Sequence, residues 1–127
     1  MKIELVNREY EIKDNFNGGN KYFKVKTFND GLNKIMKGLL IPGSSIGLHT
    51  HIDSSEIIYI ISGSGKKICE GKEERLHEGD VHYCKKGSSH TFINDSNEDL
   101  IFFWCSCEII KNGLLRIEIL INWFGVK

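Results

Sequence analysis

The chain has 127 residues and a mass of 14.5 kDa, so a single domain spanning 1–127 is expected, with no room for a second catalytic domain. Seventeen Lys plus Arg residues balance seventeen Asp plus Glu, which leaves no global field to gather nucleic acid or an anionic membrane. The longest apolar runs, 57–61 and 100–105, fall far short of the ~18 residues needed to span a bilayer. The first residues carry no apolar stretch of signal-peptide length, and the four cysteines are too few for a disulfide framework in a chain of this size, so a cytoplasmic protein with free thiols is expected.

Ala and Gln are absent and Pro occurs once, whereas Ile is abundant and Gly occurs 13 times. The best helix formers are thus missing and the best strand formers present, which predicts an all-β fold. In chain order, short apolar or alternating stretches at 21–28, 34–41, 46–52, 56–62, 66–70, 81–84, 90–94 and 100–107 are the expected strands. Between them lie turn-forming clusters such as Asn29-Asp30-Gly31, Pro42-Gly43, Asp53-Ser54-Ser55, Glu78-Gly79-Asp80 and Lys86-Gly87-Ser88-Ser89. Such spacing suggests a sandwich or barrel of antiparallel neighbours. The segment 15–20, with Gly18-Gly19, is the expected mobile loop.

The chemistry concentrates between Gly43 and Asn94. His49 and His51 are alternate residues, and on a strand their side chains share a face about 6.6 Å apart along the chain, where both imidazoles can converge on one ion. Glu56 opens the next strand, and an antiparallel return would set its carboxylate opposite the histidine pair. His90 heads another strand and could add a fourth donor. Three neutral imidazoles and one carboxylate suit one divalent first-row transition ion, Fe, Mn, Ni, Cu or Zn.

The run Gly43, His49, His51, Glu56, Gly63 resembles the first cupin motif at every position and spacing. The run Gly79, Lys85, Gly87, His90, Asn94 resembles the second, with Lys85 standing where the family usually has proline. The two motifs occupy about 43–63 and 79–94. The resemblance implies a cupin-type jelly-roll β-barrel of antiparallel strands, with the metal held by His49, His51, Glu56 and His90. It further implies that Gly43, Gly63, Gly79 and Gly87 are turn positions and that Asn94 stabilises a turn. It does not name a reaction, because the family shelters dioxygenases, decarboxylases, isomerases, storage proteins and sugar-sensing domains.

Strand alternation places Ile58 and Ile60 on the face of Glu56, and Phe92 on that of His90, as an apolar pocket wall beneath the ion. Ile57, Tyr59 and Ile61 occupy the other face of their strand and need cover from another segment or subunit. Residues 113–124 alternate with a period near two and are read as a C-terminal strand that closes an edge or crosses to a second copy, so a homodimer is expected. His77 and His82 are read as ordinary strand histidines. Cys69, Cys84, Cys105 and Cys107 are read as small buried hydrophobes before a thiolate metal site, and Phe102-Phe103-Trp104 as core.

The leading functional reading is a metal-dependent enzyme acting on a small molecule, such as a dioxygenase, decarboxylase or isomerase. The alternatives are a non-catalytic sugar or organic-acid binding or sensor module, and a metal-free isomerase or epimerase using the same His and Glu residues.

Overall fold

A computed structural model describes residues 1–108, with side chains through Ser106; the strand expected at 113–124 lies outside the described residues. Ten strands occur in chain order: β1 (Glu11–Asp14), β2 (Tyr22–Asn29), β3 (Asn33–Leu40), β4 (Ser45–Thr50), β5 (Ser54–Ser62), β6 (Gly65–Cys69), β7 (Lys72–Leu76), β8 (Val81–Cys84), β9 (Ser89–Ile93) and β10 (Leu100–Glu108). A six-stranded sheet runs β1-β2-β3-β10-β5-β8 and a four-stranded sheet β4-β9-β6-β7, with every pairing antiparallel. This is the jelly roll, and each of the eight strands expected between 21 and 107 appears in it within a residue or two of its expected bounds.

Two further strands, β1 and β7, lie outside the eight apolar or alternating stretches expected as strands, because neither carries an apolar face, and His77 falls just beyond the end of β7. The four residues of β1 are all exposed, and in β7 only Leu76 is buried. What makes β7 is its turn. Glu70 and Gly71 adopt φ of 50° and 77°, the two positive values that a two-residue hairpin of matching twist requires, and they pair Cys69 with Lys72.

The core fills the space between the sheets, with Phe23, Val25, Leu40, Ile46, Ile58, Ile60, Phe92, Leu100 and Phe102 all closed to solvent. Each such side chain contributes roughly 1.5–3 kcal/mol on burial, so the barrel has a driving force of its own. Phe92 and Phe102 meet edge to face at 4.9 Å, and the Phe102 ring is seated over Gly38, where a Cβ would come within 2.4 Å of it. Alternation along β5 sends Glu56, Ile58 and Ile60 inward and leaves Ile57 and Tyr59 exposed on the outer face.

The segment expected to be a mobile loop is instead docked. Phe16–Gly18 forms a short 3-10 turn whose Phe16 stacks on Phe23 at 5.2 Å, and a Cβ on Gly47 would lie 2.0 Å from the Asn17 carbonyl oxygen. The glycines at 19 and 47 let two backbones approach where side chains would have held them apart.

Candidate metal centre

The two motifs meet because β4 pairs with β9, which sets His49 directly opposite His90. A β-bulge between Ile46 and His49 decides which way β4 faces there. Strict alternation from the buried Ile46 would turn His49 outward and Leu48 inward. With one extra residue on β4, Leu48 is 69% exposed and His49 and His51 turn into the barrel. Glu56 arrives from the facing sheet on β5, fully buried.

The donor atoms of His49, His51, Glu56 and His90 all lie within 4.8 Å of one another. Nε2 of His90 is 3.0 Å from Nε2 of His49 and 3.1 Å from Nε2 of His51. The Glu56 oxygens stand 2.8 Å from His51 Nε2 and 3.0 Å from His90 Nε2. Both oxygens are buried, yet neither receives a well-aligned hydrogen bond. The atoms are therefore aimed at a common point rather than at each other. Ligand bonds of about 2.1 Å meeting at right angles place adjacent donors about 3.0 Å apart, so these residues fit a single transition ion with positions left over.

The outer ring nitrogens fix which atoms are free to ligate. His49 Nδ1 lies 2.7 Å from the Gly47 carbonyl oxygen, to which it donates, so its lone pair is on Nε2. His90 Nδ1 lies 2.9 Å from Nε2 of His82. Donation along that contact likewise leaves the lone pair of His90 on Nε2, pointing into the cluster. His82 is 1% exposed and is a residue the sequence reading placed outside the site. Its position two residues after Asp80 and eight before His90 carries no signal of this role; only the pairing of sheets reveals it.

Electrostatics favour a cation here. Burial by itself would raise the Glu56 carboxyl, but the close approach and charge of His51 and His90 outweigh it and hold its pKa below the ordinary value. Burial pushes the pKa of His49 down, against the opposing pull of the Gly47 carbonyl, and with His90 adding to the depression. The cluster thus keeps an anionic carboxylate beside the His49 imidazole, which resists protonation.

A cavity of about 230 Å³ opens above the cluster, walled by Phe16, Asn17, Lys34, Met36, Trp104 and Ser106. Ile58, Ile60 and Phe92, expected from alternation as the pocket wall, lie in the closed core and not among the residues lining this cavity. Phe102 and Trp104 are the inward rings of the aromatic run, and Trp104, whose buried indole Nε1 has no hydrogen-bond partner, is the one that lines the cavity.

The motif residues expected to shape turns do so. Gly43, Gly63, Gly79 and Gly87 have positive φ, and at Gly63 a Cβ would also come within 2.5 Å of the Asp99 carbonyl oxygen. The buried Asn94 donates 2.8 Å hydrogen bonds to the carbonyls of Leu40 and Glu98 and accepts from Ser96. Lys85, in the position where the resembled motif usually has proline, accepts a hydrogen bond from the Ser88 N–H at 3.0 Å through its carbonyl, and the turn closes without the ring.

A jelly-roll barrel with a three-histidine, one-glutamate cluster at its mouth defines the class of the protein. The family model described as Cupin domain matches residues 38–106, more than half of the chain, and the chain belongs to that family. Over 63 residues, 50% of this chain and 52% of the relative, it is 44% identical to the oxalate-binding protein of Thermotoga maritima. The matched stretch thus spans about half the length of that relative. The crystal structure of a predicted oxalate decarboxylase from Thermotoga maritima superposes with a TM-score of 0.81 at 29% identity, covering 86% of this chain and all of that one. A sugar phosphate isomerase from the cupin superfamily of Silicibacter pomeroyi superposes with a TM-score of 0.70 at 18% identity, covering 85% of this chain and 76% of that one, a likeness of fold alone.

Proposed function

We propose that the protein binds a small chelating organic acid of the oxalate class at a divalent transition metal held by His49, His51, Glu56 and His90. The observation that carries this reading is the convergence of four donor atoms, all within 4.8 Å, beneath a cavity of about 230 Å³. The name of the oxalate-binding relative supports the ligand class. When bound, the ion supplies a Lewis-acidic centre for carboxylate oxygens.

The chain's own residues account for the rest. Lys34, paired in register with Ser106 on β10, brings a cation to the cavity wall, where it can neutralise a carboxylate. The unpartnered indole N–H of Trp104 is a buried donor awaiting an acceptor, and an anionic oxygen satisfies it. Phe16, Met36 and the face of Trp104 narrow the opening with apolar surface, which strengthens every charge contact inside.

Turnover is a second reading, favoured by the predicted oxalate decarboxylase among the solved neighbours. Decarboxylation would leave a carbanion equivalent that needs a proton, and Lys34 is the one lysine or arginine lining the cavity among the described residues. Calorimetry of oxalate against the metal-loaded protein, with product analysis for formate and carbon dioxide, separates binding from turnover. Saturable oxalate binding that vanishes in a His49→Ala/His51→Ala variant is expected. Binding of equal strength with and without metal would overturn the assignment.

A further inference from the structure

Behind the first cluster stands a second. Cys69, His82 and Cys84 offer donor atoms that all lie within 4.8 Å of one another. Their placement follows from the same pairings that build the first site: Cys69 on β6 is the cross-strand partner of His90, and Cys84 on β8 that of Glu56. Directly paired residues project to the same face, so each thiol enters the barrel beside a ligand of the first site. The two cysteines reach the same place from opposite sheets. No disulfide joins them.

We propose that Cys69 and Cys84 hold a monovalent thiophilic cation, Cu(I), between their sulfurs, with the His82 ring against it, as a second metal site distinct from the three-histidine cluster. Two metal–sulfur bonds of about 2.3 Å set in line span about 4.6 Å, and the two sulfurs lie within 4.8 Å of each other. Soft thiolates select Cu(I), whereas a structural zinc site asks for four ligands and this cluster offers three.

The ammonium of Lys67, whose side chain is mostly buried, lies 4.0 Å from the Glu74 carboxylate and is also felt electrostatically at both His82 and Cys84. Burial, with Cys69 and Glu56 adding to it, pushes the Cys84 thiol up to about 12. On binding, each thiol loses its proton to solvent, two S–H bonds are replaced by two S–Cu bonds, and no atom changes oxidation state. His82 contributes through Nδ1. Its Nε2 is occupied by His90, and its buried Nδ1 has no hydrogen-bond partner, so an N–H there has an anionic sulfur complex to donate to. Cys69, partly exposed, gives the ion its way in.

The test is anaerobic titration of the reduced full-length protein with Cu(I), read by thiolate-to-copper charge-transfer absorption and by competition with a Cu(I) chelator. Wild type is expected to take up one thiolate-bound equivalent. A His49→Ala/His51→Ala variant and a Cys105→Ser/Cys107→Ser variant should keep it. Cys69→Ser/Cys84→Ser should weaken retention at least 100-fold while still binding Ni(II) at the first cluster, which shows that it is folded; the single Cys69→Ser variant, at the more exposed position, gives the same reading if the double one does not fold. The proposal is overturned if wild type shows no charge-transfer band, if the band survives loss of Cys69 and Cys84, if it disappears with His49 and His51, or if equimolar Zn(II) displaces the copper.

Discussion

Nε2 of His82 lies 2.9 Å from Nδ1 of His90, and this buried contact sets the direction in which His90 presents its other nitrogen to the metal cluster. Outer partners of this kind commonly hold 10–100-fold of metal affinity. Replacing His82 with Leu removes the acceptor while keeping an apolar filling. We expect ion affinity, measured by calorimetry with Mn(II) or Ni(II), to fall about 10–100-fold. His82→Gln, which restores an acceptor, should recover much of it; a Leu variant that binds as wild type does would show that His90 needs no such support.

The same histidine makes stability depend on pH. Burial first, then the charges of Lys67 and His90, push its pKa down to about 4 from an ordinary 6.5. Between those values the unfolded chain carries a proton on this ring that the folded chain refuses, so stability rises with pH across the window. The contribution is complete above about pH 6.5 and is lost as pH falls towards 4, and His49, depressed in the same direction by burial, adds to it. Urea titrations of the metal-free protein at pH 7.5, 5.5 and 4.5 should show a falling midpoint, with a shallower fall in His82→Leu. A pH-independent midpoint would contradict both shifts.

Metal removal should not unfold the barrel. The aromatic and aliphatic core is closed without the ion, so a chelator-treated protein is expected to retain its β-sheet circular dichroism and to melt a few degrees lower. Added divalent ion should restore the loss better at pH 7.5 than at pH 5.5, since ligation requires neutral imidazoles. Complete unfolding on chelation would mean that the core alone is insufficient.

Gly38 is the point at which the core is least forgiving. A Cβ there would come within 2.4 Å of the Phe102 ring, which in turn packs edge to face on Phe92. Overpacking of this kind costs roughly 1–3 kcal/mol. Gly38→Ala should lower the unfolding free energy by about that amount, and Gly38→Ala/Phe102→Leu should recover part of it; additive losses in the double variant would place the strain elsewhere.

On the outer face of β5 and β8, Ile57 pairs with Tyr83 and Tyr59 with Val81, and all four side chains are exposed. Monomeric proteins seldom leave such a patch bare, and it is where we expect a second copy of the chain to dock. Light scattering after size exclusion should give a dimer mass for wild type and a monomer mass for Tyr59→Lys/Tyr83→Lys. A monomeric wild type would remove this expectation.

The strands with an apolar face are legible in the sequence, because alternation and turn residues are local properties. The sequence also marks the four candidate ligands, because their spacing survives whatever the strands do. It could not determine the facing of β4, since the bulge before His49 depends on how that strand fits β9 and on Asn17 crowding Gly47. It did not place β1 and β7 among the apolar-faced strands: apart from Ile12 and Leu76 their residues are polar, and a neighbouring strand supplies the hydrogen bonds. Above all, it could not bring Cys69, His82 and Cys84 together. They sit on strands of two different sheets with no strand pairing between them, and only the closing of one sheet over the other sets their donor atoms within 4.8 Å.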